Sequence, residues 1–261
     1  MAIHNGWQYP RTLNAPARLV SIRYSPWSER ARWALDHHRI AYRILEHEPF
    51  LHELRLRHLA GWPRERATAP LLLDGGRRYR SGWEIAVYAD TAGGGTPQLI
   101  PETLEPAIHE VDVLVDRTLQ AGRTLLVAAL LEDSEALDAS WPSFVPRAVA
   151  APLRPLARFG TRWFSRKYAL DLADIEPQLH VIRTELDEVR RRLNGRELLL
   201  GSFSYADILV ASMLQLVEPV SERHWKLRPE LRRLWTRQDL ADEYRDLLAW
   251  RDSVYERYRR R

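Results

Sequence analysis

Two serines and a tyrosine crowd the segment YSPWSERARWALDHH, Tyr24 to His38, which runs from an apolar stretch straight into a helical pattern. Such a loop has two readings. A Ser ahead of a helix can cap it, its oxygen accepting an N–H of the first turn. Alternatively, the unpaired N–H groups of a helix start make a seat for a negatively charged sulfur or carboxylate, and the loop is a site.

Other chemistries find less support. Asp36, His37 and His38 contain two imidazoles, but adjacent histidines on a helix point apart and no third ligand is placed, so they read as solvated surface and no metal is expected. There is no Gly-rich phosphate loop and no GxSxG elbow. In GSFSYADILVASML, Ser204 precedes Asp207 by three ahead of an apolar helix, the pattern of a capping box with a structural role.

The elements that must carry these residues come in two kinds. ARLVSIRY is β-rich and ends at Tyr24, ERARWALDHH has helical spacing, and IAYRILEH is a second strand. After a charged connection, APLLLDGG and RRYRSG form a hairpin at Asp74-Gly75-Gly76, and SGWEIAVYAD is a short helix. TAGGGTPQLIP, Thr91 to Pro101, breaks all periodicity, and everything beyond it reads helical. A long amphipathic pattern covers Glu102 to Asp133 with a soft interruption at Gly122, and further helices span Ile175 to Leu193 and Leu240 to Tyr258. The insert 141–165, with Pro142, Pro146, Pro152 and Pro155, reads as short helical pieces over the surface or over a cleft.

Composition sets the outer bounds. With 261 residues, 45% of them hydrophobic, the chain can bury a proper core. Lys and Arg (39) nearly balance Asp and Glu (35) for a net charge of +4, and no aromatic cluster interleaves with basic residues, so no nucleic-acid partner is expected. The terminal RYRRR reads as a solvated helix end. The absence of cysteine excludes disulfides and protein-borne thiol chemistry. No stretch of about 18 apolar residues and no cleavable leader occur, so the expectation is a cytoplasmic chain without a membrane partner.

The order of parts resembles the glutathione transferase superfamily. The residues that carry the resemblance are SPWSERARWALDHH after the first strand, TAPLLLDGG with Pro70 opening the third, SGWEIAVYAD after the fourth, and GSFSYADI late in the chain. The fold implied is α/β plus all-α: a thioredoxin-like domain at 17–92, a linker at 93–101 and an all-helical domain at 102–261. The resemblance further implies glutathione as co-substrate, no metal, an apolar small-molecule electrophile and a homodimer. The reaction would be thiolate attack in conjugation, ether cleavage or isomerisation.

By the same resemblance Ser25 is the catalytic hydroxyl that stabilises the thiolate, with Ser28 and Tyr24 as rivals. Ala69 aligns its backbone with the cysteinyl part of glutathione, ahead of a cis Pro70. Ser81, Gly82 and Trp83 hold the γ-glutamyl end, and Trp27, His109 and Asp112, with Val113 and Asp116, line the electrophile pocket. One departure stands out: most relatives carry an acid and a Ser where this chain has Ser81 and Gly82. Restoring a hydroxyl at Gly82 is therefore expected to tighten glutathione binding. The alternative that this departure favours is a non-catalytic binding or scaffold protein that has lost the thiol ligand.

Overall fold

The computed structural model describes residues 16–61, 67–93, 97–142 and 144–259. Its first elements are β1 (Ala17–Ser21), α1 (Pro26–His37), β2 (Tyr42–Glu46), α2 (Glu53–Ala60), β3 (Leu71–Asp74), β4 (Arg77–Tyr79) and α3 (Gly82–Ala92). The strands form one sheet in the order β2-β1-β3-β4, with β1 parallel to β2 and antiparallel to β3. Because side chains alternate along a strand, Leu19 and Leu72 pack on one face with Ala31, Leu35, Ile85 and Ala86 of α1 and α3. Val20 and Leu71 pack on the other face with Leu56 and Ala60 of α2. That second helix lies in what the sequence offered only as a charged connection; its apolar stripe is too short to declare itself, and the sheet's second face needs a cover.

The rest is helical: α4 (Glu105–Glu132), α5 (Ser134–Ala139), α6 (Arg147–Ala150), α7 (Arg154–Lys167), α8 (Glu176–Leu193), α9 (Tyr205–Met213), α10 (Pro229–Trp235), α11 (Gln238–Glu243) and α12 (Arg245–Tyr258). The arrangement is a thioredoxin-like sheet unit followed by a helical one. Every residue of α9 is buried, which makes it the axis against which α1, α4 and α12 pack. Its start carries the capping box, with the Asp207 carboxylate accepting from the Ser204 N–H at 2.9 Å and from the Leu199 N–H at 2.9 Å.

Several expectations from local pattern are corrected. Helix α4 runs unbroken through Gly122, where a side chain would run into Leu216; the glycine serves close packing. Half of the insert is a regular helix, α7, because Pro155 sits in its first turn, where a missing N–H costs nothing. The pattern over Leu240 to Tyr258 splits at Tyr244, whose hydroxyl leaves to bond Asp187 at 3.0 Å. His38 is not solvated surface: it is buried, with Nε2 2.6 Å from Asp90, which also accepts the N–H groups of Leu99 and Ile100.

The basic C-terminus is not a solvated end either. Arg259 is buried against α1, 2.8 Å from Glu29 and 2.7 Å from Asp36, while Arg32 meets the other oxygen of Glu29 at 2.8 Å. The residues beyond Arg259 lie outside the described ones. Burial alone would raise the pKa of Glu29, but Arg259 and Arg32 outweigh it and bring the carboxyl from 4.5 down to about 2.

A depressed carboxyl makes stability fall with acid. Above pH 4.5 the Glu29 contribution is complete, and it is lost as pH drops through the folded value of about 2, a loss on the order of 3 kcal/mol. Urea denaturation across that window should show the fall. Glu29→Gln should be less stable at pH 7 and should flatten this part of the profile; an unaltered slope would refute the assignment.

Candidate active site

The first strand delivers the chain to α1 through a tight turn in which the Ser25 N–H bonds the Ile22 carbonyl at 3.3 Å. Ser25 is the N-cap, extended at φ −105 and ψ 124, and its Oγ accepts the Ser28 N–H at a long 3.4 Å. The Glu29 N–H is taken by the Ser25 carbonyl at 2.9 Å and Pro26 has no N–H. By this count the N–H of Trp27 is the first-turn donor left for a ligand. Ser28 is fully buried, with its Oγ accepting the Ile22 N–H at 3.0 Å. The Tyr24 hydroxyl donates to Glu48 at 3.4 Å, and its pKa is pushed up by burial and then by Glu48. Of the three hydroxyls, Ser25 alone caps the helix, and among the described residues no acceptor engages its proton.

The register of β1 and β3, Val20 opposite Leu71, carries Pro70 alongside the end of β1 and hence beside the start of α1. The Ala69–Pro70 peptide bond is cis. After the β3–β4 hairpin, Ser81 caps α3 through the Glu84 N–H at 3.0 Å, and the Glu84 carboxylate accepts the Arg80 N–H at 2.6 Å. The N–H groups of Gly82 and Trp83 then remain as the free donors of the α3 N-terminus.

A buried cation ties this region to α4. Arg30 donates to Asp112 and to Asp116, both at 2.9 Å, and Asp116 also accepts the Trp27 indole N–H at 3.2 Å. Burial raises the pKa of Asp112, while Arg30 pulls it back. Trp83 meets His109 edge-on, with ring centroids 5.2 Å apart, and Tyr205 at 6.2 Å. Trp27, Gly82, Trp83, His109 and Asp112 thus form one continuous set of contacts around Arg30, although Asp112 spends its carboxylate on Arg30. Ser25 belongs to it through the first turn of α1, whereas the Ser81 hydroxyl is given to the Glu84 N–H.

Gly82 is turned inward. A Cβ there would lie 2.5 Å from Nε of Arg30 and 2.9 Å from the Tyr205 hydroxyl, two buried polar atoms that have no protein partner. The expectation that a hydroxyl at 82 would reach a ligand is corrected on this ground: it would meet Arg30 instead.

Sequence reasoning missed Arg30, Arg123 and Tyr168. Arg123 stacks between Trp27 and Tyr168, 4.1 Å from each ring centroid. A signal existed, because His109, Asp112, Asp116 and Arg123 recur on one face of α4 as a polar stripe inside an amphipathic helix. Tyr168 follows the last residue of α7, so the insert reaches Arg123; α7 also packs on Phe50 through Phe159 and Trp163. Among the described residues no cluster fit to hold a metal ion occurs.

Residues 19–97 match the family described as glutathione S-transferase, N-terminal domain. No curated protein matches the sequence. Among solved structures, a glutathione S-transferase of Ceriporiopsis subvermispora in complex with glutathione superposes with a TM-score of 0.64 at 17% identity, covering 94% of this chain and 98% of that one. GSTFuA2 from Phanerochaete chrysosporium gives 0.65 at 20%, covering 95% and 99%. A glutathione S-transferase from Methylobacillus flagellatus with glutathione bound gives 0.56 at 21%, covering 92% and 95%. At these identities the likeness is one of fold.

The inward turn of Gly82 makes it a packing position. Gly82→Ala should cost about 1 to 3 kcal/mol by overpacking against Arg30, visible as a lower melting temperature. A variant that melts like the parent would show that Arg30 can yield.

Proposed function

We propose that this chain, whose residues 19–97 match the glutathione S-transferase N-terminal domain family, is a glutathione transferase that binds glutathione on its sheet domain and activates the thiol for attack on an electrophile. The single observation that carries the reading is the Ser25 hydroxyl, at the mouth of α1 with its proton unengaged and the Trp27 N–H beside it. In this reading Ser25 donates a hydrogen bond to the bound thiolate and keeps its proton. Together with the helix N-terminus it lowers the thiol pKa. The sulfur then forms a bond to the electrophilic carbon, and the leaving group departs with its electron pair.

The residues present fit part of the peptide. The backbone of Ala69, just ahead of β3, is assigned to the cysteinyl unit, and the N–H groups of Gly82 and Trp83 suit the γ-glutamyl carboxylate. The ammonium group is less well served, since position 81 is Ser and the Asp112 carboxylate is committed to Arg30. The electrophile is assigned to the cleft between Trp27, Trp83 and His109. A homodimer and a cytoplasmic setting complete the reading; no helix among the described residues is long and apolar enough to cross a membrane.

A second reading, a binding or scaffold protein that has lost the thiol ligand, is favoured by one observation: the space of a side chain at 82 is filled by Arg30. Calorimetric titration with glutathione separates the two, and saturable binding is expected. Ser25→Ala should lower glutathione-dependent turnover at least about tenfold while the melting temperature barely moves, because a cap bond this long contributes less than the usual ~1 kcal/mol. Full activity in the variant would exclude the thiolate role, and early melting would return Ser25 to capping alone. Failure of glutathione to bind would leave the scaffold reading.

A further inference from the structure

Three separate elements build the sandwich around Arg123: Trp27 comes from the first turn of α1, Tyr168 from the end of α7, and the guanidinium from α4. The Trp27 and Tyr168 rings, each with its centroid 4.1 Å from the Arg123 Cζ, attract the charge, yet neither supplies an oxygen to accept any of the five N–H donors of the group. Among the described residues no carboxylate reaches ion-pair distance of Arg123 and no oxygen accepts from it. Asp116, whose charge acts on Arg123, is held by Arg30 and by the Trp27 indole. Lys167, the next cation along, lies 5.5 Å from the Tyr168 ring and is paired with Glu53 at 2.8 Å. Burial works against the charge of Arg123, and the fold offers no direct bond in compensation. Arg123 is nonetheless only partly buried, so part of the group is open to solvent.

We propose that Arg123 receives a carboxylate on the second, electrophilic substrate, so that the cleft selects electrophiles bearing a negative charge. A guanidinium already placed against two aromatic rings gives up little further freedom on making two parallel N–H bonds to one carboxylate. Trp27 gives the site its place in the reaction, since the residue that stacks on Arg123 is two positions from Ser25. That placement rests on the transferase reading above. Glutathione itself ends in a carboxylate, the same chemistry from another source, and the experiment separates the two.

The first arm is calorimetric titration of the wild-type protein with 3,5-dinitrobenzoate and with its methyl ester, alone and with glutathione in excess. The acid should bind at least about tenfold more tightly than the ester, and should do so with glutathione present. Arg123→Met should abolish the preference and Arg123→Lys should keep part of it. Equal binding of acid and ester to the wild type would overturn the proposal without need of any variant. So would a preference that survives in Arg123→Met, or an acid displaced by glutathione, which would give the residue to the peptide's own carboxylate.

The second arm is turnover of 4-chloro-3,5-dinitrobenzoate against neutral 1-chloro-2,4-dinitrobenzene with glutathione. In both, a C–S bond forms at the chlorine-bearing carbon and chloride leaves with the electron pair. Arg123→Met should lower the ratio of kcat/KM, charged over neutral, at least about tenfold. Turnover of neither compound counts against the transferase reading, while the binding arm still decides the fate of Arg123.

Discussion

The guanidinium of Arg30 is sealed from water between the sheet unit and the helical unit, and its position constrains everything around the cleft. A buried charge without partners is very costly, so Asp112 and Asp116 of α4 must stand within hydrogen-bond distance of α1. That requirement fixes how the two halves meet. It holds Asp116 where it can also anchor the Trp27 indole, and it leaves no room for a side chain at residue 82. The start of α1, the start of α3 and the polar face of α4 are thereby brought to one place by a single cation. Two more polar locks act on the same helix from its other side. Arg259 returns from the C-terminus to Glu29 and Asp36, and His38 joins α1 to Asp90 of α3.

The consequences for chemistry follow from which donors the fold has already used. At the start of α1 the Ser25 and Ser28 oxygens are both occupied as acceptors by backbone N–H groups, but Ser28 is inside and Ser25 is at the mouth. At the start of α3 the Ser81 hydroxyl is spent on capping, so the backbone of Gly82 and Trp83 carries whatever anion-binding capacity the helix has. Positions 81 and 82 are Ser and Gly, and Gly82 lies against Arg30, a cation whose charge is balanced by Asp112 and Asp116.

The insert between α5 and α8 changes the other wall. Its regular half, α7, lies against Phe50 and Glu53 of the sheet unit and brings Tyr168 onto Arg123. The insert thus sets a segment with aromatic and cationic groups in quick succession beside Arg123. Arg123 lies there against two aromatic rings, and among the described residues no oxygen takes its N–H groups.

Much of this was legible in the sequence wherever the cause is local. The alternation in ARLVSIRY and APLLLDGG, the helical spacing after Ser25, and the spacing of Ser204 and Asp207 each express short-range sterics or hydrogen bonding. Those signals define the order of elements, the fold they resemble and the helix starts that bear Ser25 and Ser81. Sequence could not tell capping from catalysis at Ser25, because both need the same residue at the same place. Nor could it see that His38 and Arg259 are buried, that Gly82 faces Arg30, or that Arg123 rests between Trp27 and Tyr168. Each of those facts depends on a partner remote in the chain, Arg259 from Glu29 and Arg30 from Asp112 among them. The charge of a side chain is written in the sequence; whether that charge is solvated, neutralised or left open for a ligand is decided by what packing brings beside it.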